Sequence, residues 1–85
     1  MNNFVVVGRL KAIHEEINQI EVETIEKDNK QLLKIEVNYI FIYNIKEYCK
    51  INDVIGVKGF IKNKDDNMVL FCTRYTYLGC GKGEW

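Results

Sequence analysis

An all-β fold is what this chain predicts, on three observations. Five stretches alternate apolar and polar residues with the two-residue period of a strand. Turn-forming clusters, Lys27-Asp28-Asn29-Lys30 and Lys64-Asp65-Asp66-Asn67, separate the second stretch from the third and the fourth from the fifth. One short helical stretch falls between the third and the fourth. Five strands with a helix in that interval is the order of the OB fold, a five-stranded, partly open Greek-key barrel. An SH3-like barrel is the competing architecture; the helix in that slot and the lengths of strands one, three and four favour the OB arrangement.

The first strand begins at Phe4. Phe4, Val6 and Leu10 share one parity with Gly8 between them, and Val5, Val7, Arg9 and Lys11 share the other, so Gly8 is expected at a bend or bulge. Both faces are apolar at the start, as suits a strand held between the core and a neighbouring subunit. The second strand, Ile17 to Glu26, sets Ile20, Val22 and Thr24 against Glu21, Glu23 and Ile25, and Asp28-Asn29 supply a hairpin turn. The return strand reads from Leu32 to Tyr43. Ile35, Val37 and Tyr39 share one parity, and a bulge near residues 39–40 would then turn Ile40 and Ile42 inward and Phe41 and Tyr43 outward. Asn44 and Glu47 have the spacing of a capping box, opening one or two helical turns with Ile45, Tyr48 and Cys49 on one face. The fourth strand spans Asp53 to Asn63 and the fifth Met68 to Leu78. Residues 1–79 make one OB-fold domain, and 80–85 a short tail that is flexible by composition.

Eighty-five residues allow a single domain that buries only about 60 to 65% of its unfolded surface. Twelve basic and twelve acidic side chains balance to zero formal charge, which argues against strong nonspecific adhesion to duplex DNA or anionic membranes. The acids outnumber the bases by two in residues 1–43, and the bases outnumber the acids by two in residues 44–85. Cys49, Cys72 and Cys80 form no C-x-x-C pair and no signal-type segment stands first, so a reducing cytoplasm is expected. No apolar run is long enough to span a bilayer.

The fourth strand carries the first functional signal. Ile55, Val57, Gly59 and Ile61 fall on one face, and Lys58, Phe60 and Lys62 on the other. A flat ring between two cations is what stacks an unpaired base while holding the phosphates beside it. Enzymatic chemistry finds no such support. His14-Glu15-Glu16 is not H-E-x-x-H, and no acid, base and nucleophile set can be assembled. The three cysteines and His14 lack zinc spacing, and the glycines at 79, 81 and 83 lack the helix and the G-K-[ST] ending of a phosphate loop. The chain is therefore read as a non-enzyme that needs no metal, cofactor or small-molecule substrate.

Four stretches in order resemble the bacterial single-stranded DNA-binding proteins. Asn2-Asn3-Phe4-Val5-Val6-Val7-Gly8-Arg9-Leu10 is similar to their opening N-x-V-x-L-x-G-R-L, and Ile40 to Tyr43 to their third-strand V-V-L-F. Asn52 to Ile61 resembles G-D-x-V-x-V-E-G-R-L, and Cys72 to Gly79 resembles A-D-R-V-x-F-L-G. Residues 11–39 match only in being a hairpin. The resemblance implies an OB fold, homo-oligomers such as dimers or tetramers, and sequence-independent binding of single-stranded DNA in replication, repair or recombination, with RNA as an alternative strand.

On that resemblance Tyr43 falls where the family's third strand presents a stacking Phe. The full candidate set is Tyr43, Phe41 and Phe60 for bases, with Arg9, Lys58, Lys62 and Arg74 for phosphates. Lys58 replaces the family's usual Glu, and Phe60 a polar or basic residue. The positions of the other stacking tryptophans hold Val37 and the turn near Asp66, and the long acidic tail has no counterpart in Gly79–Trp85. Those departures keep a second reading open, an OB-fold adaptor that contacts proteins and has little affinity for nucleic acid, like the primosomal paralogues.

Overall fold

A computed structural model describes residues 2–81; residues 82–85, which hold Trp85 and the rest of the expected tail, lie outside the described residues. Strand β1 (Asn3–His14) does the closing, because it serves two neighbours in turn. Its first half pairs antiparallel with β4 (Val54–Lys64), from Asn3 opposite Phe60 to Arg9 opposite Val54. Its second half pairs with β2 (Gln19–Thr24), from Gly8 opposite Thr24 to His14 opposite Gln19. With β3 (Leu32–Glu36) and β5 (Asn67–Gly79) the order is β1-β2-β3-β5-β4, a closed barrel in which, among the described residues, only β3 and β5 run parallel. This is the expected OB architecture, with one helix between β3 and β4.

Gly8 sits at the change of partner, but it is not a bulge. The irregularity falls at Lys11, between Leu10 and Ala12. What requires glycine is proximity: a Cβ at residue 8 would lie 2.2 Å from the Glu23 carbonyl oxygen of β2.

The third strand is shorter than its sequence suggests. β3 ends at Glu36, and Tyr39–Tyr48 form helix α1, nearly three turns. Asn38, not Asn44, is the N-cap, its side chain accepting from the Phe41 amide at 2.8 Å. Ile40, Phe41, Ile42 and Tyr43 are thus helical rather than a bulged strand end. Ile42, Ile45 and Cys49 are buried in the barrel core, Phe41 is half-buried, and Ile40 and Tyr43 are exposed. The helix wins because its spacing of three and four residues puts all three buried side chains on one face, outweighing the strand preference of Ile and Tyr. The core they join is built from Leu10, Ile20, Val22, Ile35, Ile55, Val57 and Cys72.

Asp53 is the single buried charged side chain among the described residues. Its carboxylate accepts from the Lys50 amide at 2.8 Å and from the Gly81 amide at 2.9 Å. The carboxylate thereby ties the end of β5 to the loop that opens β4.

Candidate nucleic-acid interface

The β4–β5 hairpin sets the geometry. Asp65 (φ 52°) and Asp66 (φ 65°) both adopt the left-handed conformation, the requirement of a two-residue primed turn whose twist suits the flanking strands. Lys64 then pairs with Asn67, and counting back along both strands brings Phe60 opposite Phe71. The two rings are half-buried on the outer face of the sheet, with centroids 5.4 Å apart and planes inclined by 32°. Lys62 Nζ stands 4.5 Å from the centre of the Phe71 ring and 4.0 Å from a Glu36 oxygen. Gly59 allows the strands to approach this closely, since a Cβ there would lie 1.8 Å from the Phe71 carbonyl oxygen.

One step along β4, Lys58 pairs with Arg74, the register having shifted by one residue at Thr73. The Thr73 hydroxyl donates to the Lys58 carbonyl at 3.3 Å. Like charges directly opposite each other destabilise a sheet, and among the described residues neither cation forms an ion pair. Beside them is a shallow depression of about 390 Å³ lined in part by Val5, Gly56, Thr76 and Leu78. An anion between the two side chains would relieve their repulsion. Along the β4–β5 pair, therefore, the outer face offers two cations, a pair of rings and a third cation, in that order.

The remaining candidates lie elsewhere. Tyr43 is exposed on α1 and shares no lining with the β4–β5 face; it borders a groove with Glu15, Asn18, Tyr39, Ile40 and Ile42. Phe41 packs edge-on against Tyr75, centroids 5.8 Å apart, and the Tyr75 hydroxyl bonds to Asn44. Arg9 donates from Nη1 to the Asn52 carbonyl at 2.9 Å and reaches the Gly81 carbonyl at 3.5 Å, so its guanidinium is engaged in holding chain segments together. Of the seven candidates the structure gathers Phe60, Lys58, Lys62 and Arg74. Phe71 completes them. It was not among the candidates, although the two-residue turn at Asp65-Asp66 fixes it opposite Phe60.

The outer face of β2 and β3, the usual oligonucleotide surface of an OB fold, has the opposite character here. Glu21, Glu23 and Glu36 occupy it, with Lys34 opposite Glu21. His14 bonds to Glu21, and Lys11 lies 4.0 Å from Glu23. Lys11 near this face is already matched by Glu23, whereas Lys58 and Arg74 on β4–β5 next to Val5 have no such partner among the described residues.

No protein-family model matches the chain, and no curated protein matches it by sequence. Solved structures do match its fold. The mitochondrial single-stranded DNA-binding protein Rim1 of S. cerevisiae superposes with a TM-score of 0.83 at 19% identity, over 96% of this chain and 98% of that one. The dimeric N-terminal domain of PriB from Thermoanaerobacter tencongensis gives 0.68 at 12% identity, over 91% and 96%. The S. pombe Stn1–Ten1 complex gives 0.66 at 14% identity, over 92% of this chain and 59% of that one. The fold is that of OB proteins built like Rim1 and PriB.

Proposed function

We propose that this protein binds single-stranded nucleic acid without regard to sequence, along the outer face of β4 and β5. The observation that carries the reading is the Phe60–Phe71 ring pair set next to the unmatched Lys58–Arg74 pair. Bases stack on the rings, and phosphates lie over Lys58, Arg74 and Lys62. The shape shared with Rim1, a single-stranded DNA-binding protein, supports the same reading. DNA is the expected strand and replication, repair or recombination the setting, in the cytoplasm. The test is fluorescence anisotropy of labelled oligo-dT at low salt. A saturable rise supports the proposal, and a flat signal with protein in the range of tens of micromolar refutes it.

The active form proposed is a homo-oligomer joined through β1. Among the described residues, Asn3–Val7 has a strand partner on one side only, and Val5 and Val7 are exposed. An open, apolar strand edge is a template for pairing with another copy. Edge-to-edge pairing extends the sheet and leaves Lys58 and Arg74 uncovered. Light scattering is expected to give at least a dimer that Val5→Lys weakens; a monomer at all concentrations rules this out.

A further inference from the structure

The first turns of α1 carry a surface that neither the core nor the nucleic-acid reading uses. Tyr39 is 72% exposed, Ile40 60% and Tyr43 72%. With Ile42, Asn18 and Glu15 they line a groove of about 420 Å³. Ile17, in the 3-10 turn just before Asn18, is likewise exposed. The helix buries Ile42, at the floor of the groove, and Ile45 in the core, whereas Tyr39, Ile40 and Tyr43 stay exposed and are not buried by the fold. Grouped apolar side chains on a protein surface mark a contact.

The rim charges select the occupant. Lys46, the cation nearest the groove's acid, is held by both Glu15 oxygens at 3.0 and 3.1 Å. Glu16 follows Glu15 in sequence, and Glu47 lies one turn beyond Tyr43 on the Tyr39–Tyr43 stripe. With Lys46 matched to Glu15, two further acids, Glu16 and Glu47, stand on the 3-10 turn and the helix that form the groove. A phosphate chain would meet those carboxylates without a free cation. A second copy of the same patch would set Glu16 and Glu47 of each against the other.

We infer that the groove beside Tyr39, Ile40 and Tyr43 docks a segment of a partner protein in which a short apolar cluster is flanked by Lys or Arg. Apolar side chains enter between the tyrosines, and the flanking cations meet Glu16 and Glu47. The site shares no residue with Phe60, Phe71, Lys58 or Arg74, so one molecule can hold a strand and a partner together. It does not rest on the nucleic-acid reading.

The experiment pans a displayed library of random twelve-residue peptides on the intact protein. Counter-selection uses the triple variant Tyr39→Ser, Ile40→Ser, Tyr43→Ser, checked for folding by circular dichroism, with Ile40→Glu alone as the substitute should the triple variant not fold. The selected peptides are expected to converge on an apolar cluster between basic residues. Their synthetic forms are expected to bind at least tenfold more weakly to the variant, and several-fold more weakly to Glu16→Gln with Glu47→Gln. Four results would each overturn the proposal: no convergence, acidic or neutral flanks, equal binding to the variant, or a dimer in light scattering that Ile40→Glu dissolves.

Discussion

Phe60 and Phe71 face each other across β4 and β5 with ring centroids 5.4 Å apart, and each is left half-exposed on a sheet that has core enough without them. A ring pair in that position serves a ligand better than it serves the fold. Phe71→Ala is therefore expected to weaken oligo-dT binding by about 1 to 3 kcal/mol, roughly fivefold to over a hundredfold. Phe60→Ala should do the same, and the double variant should lose less than the sum because the rings touch. Anisotropy titrations of the three variants, with circular dichroism to confirm folding, check this.

The salt dependence follows from the count of cations on the face. Lys58, Lys62 and Arg74 line the face, whereas Arg9 is bonded to backbone carbonyls. Three phosphate contacts imply a log-log slope near −2 for a single strand, about a 20-fold loss of affinity between 50 and 200 mM salt. Arg74→Ala should make the slope shallower by about 0.7. Titrations at four salt concentrations measure both.

Glu36 works against the site, since its carboxylate is 4.0 Å from Lys62 Nζ beside the Phe71 ring. Glu36→Gln removes a repulsive charge and frees the cation. Affinity should rise, by about threefold to fivefold at low salt, as for a partly exposed charge pair of under 1 kcal/mol. The gain should shrink at high salt, which distinguishes it from a change in packing.

Cys72 is sealed in the barrel core, and burial pushes its thiol up to about 11 from the usual 9.0, a rise only partly offset by the Arg74 amide. Below pH 9 the thiol is protonated in folded and unfolded chains alike, and its contribution to stability is fully present. Between 9 and 11 the unfolded chain loses the proton first, so stability falls as pH rises. Urea midpoints should drop between pH 8 and 10.5 in the native protein, and less steeply in Cys72→Ala.

Much of this was legible in the sequence, and the part that was not has a physical cause. The alternation around Ile55, Val57 and Gly59 gave β4 its inner face, and Lys58, Phe60 and Lys62 its outer one, as found. The Lys64–Asn67 turn was equally clear, and its length alone aligns Phe60 with Phe71. The segment from Tyr39 to Tyr43 misled because Ile, Phe and Tyr favour strands in general. A helix won through burial with residues distant in sequence, Ile42 and Ile45 sharing one core with Leu10 and Ile55. A helical signal was present in the spacing of Ile42, Ile45 and Cys49, with Asn38 as a cap. Arg9 could not be excluded from the phosphate set by reading alone, because its partners Asn52 and Gly81 come from far along the chain.

The most direct test is to map where the strand lies. An oligo-dT carrying 5-bromouracil, cross-linked by ultraviolet light and read by mass spectrometry, should attach to the β4–β5 peptides containing Phe60 and Phe71. Cross-links confined to Tyr39–Tyr43 or to the β2–β3 peptides would contradict the account, because they would put the strand on the surfaces whose charges Glu15, Glu21, Glu23 and Glu36 set against it.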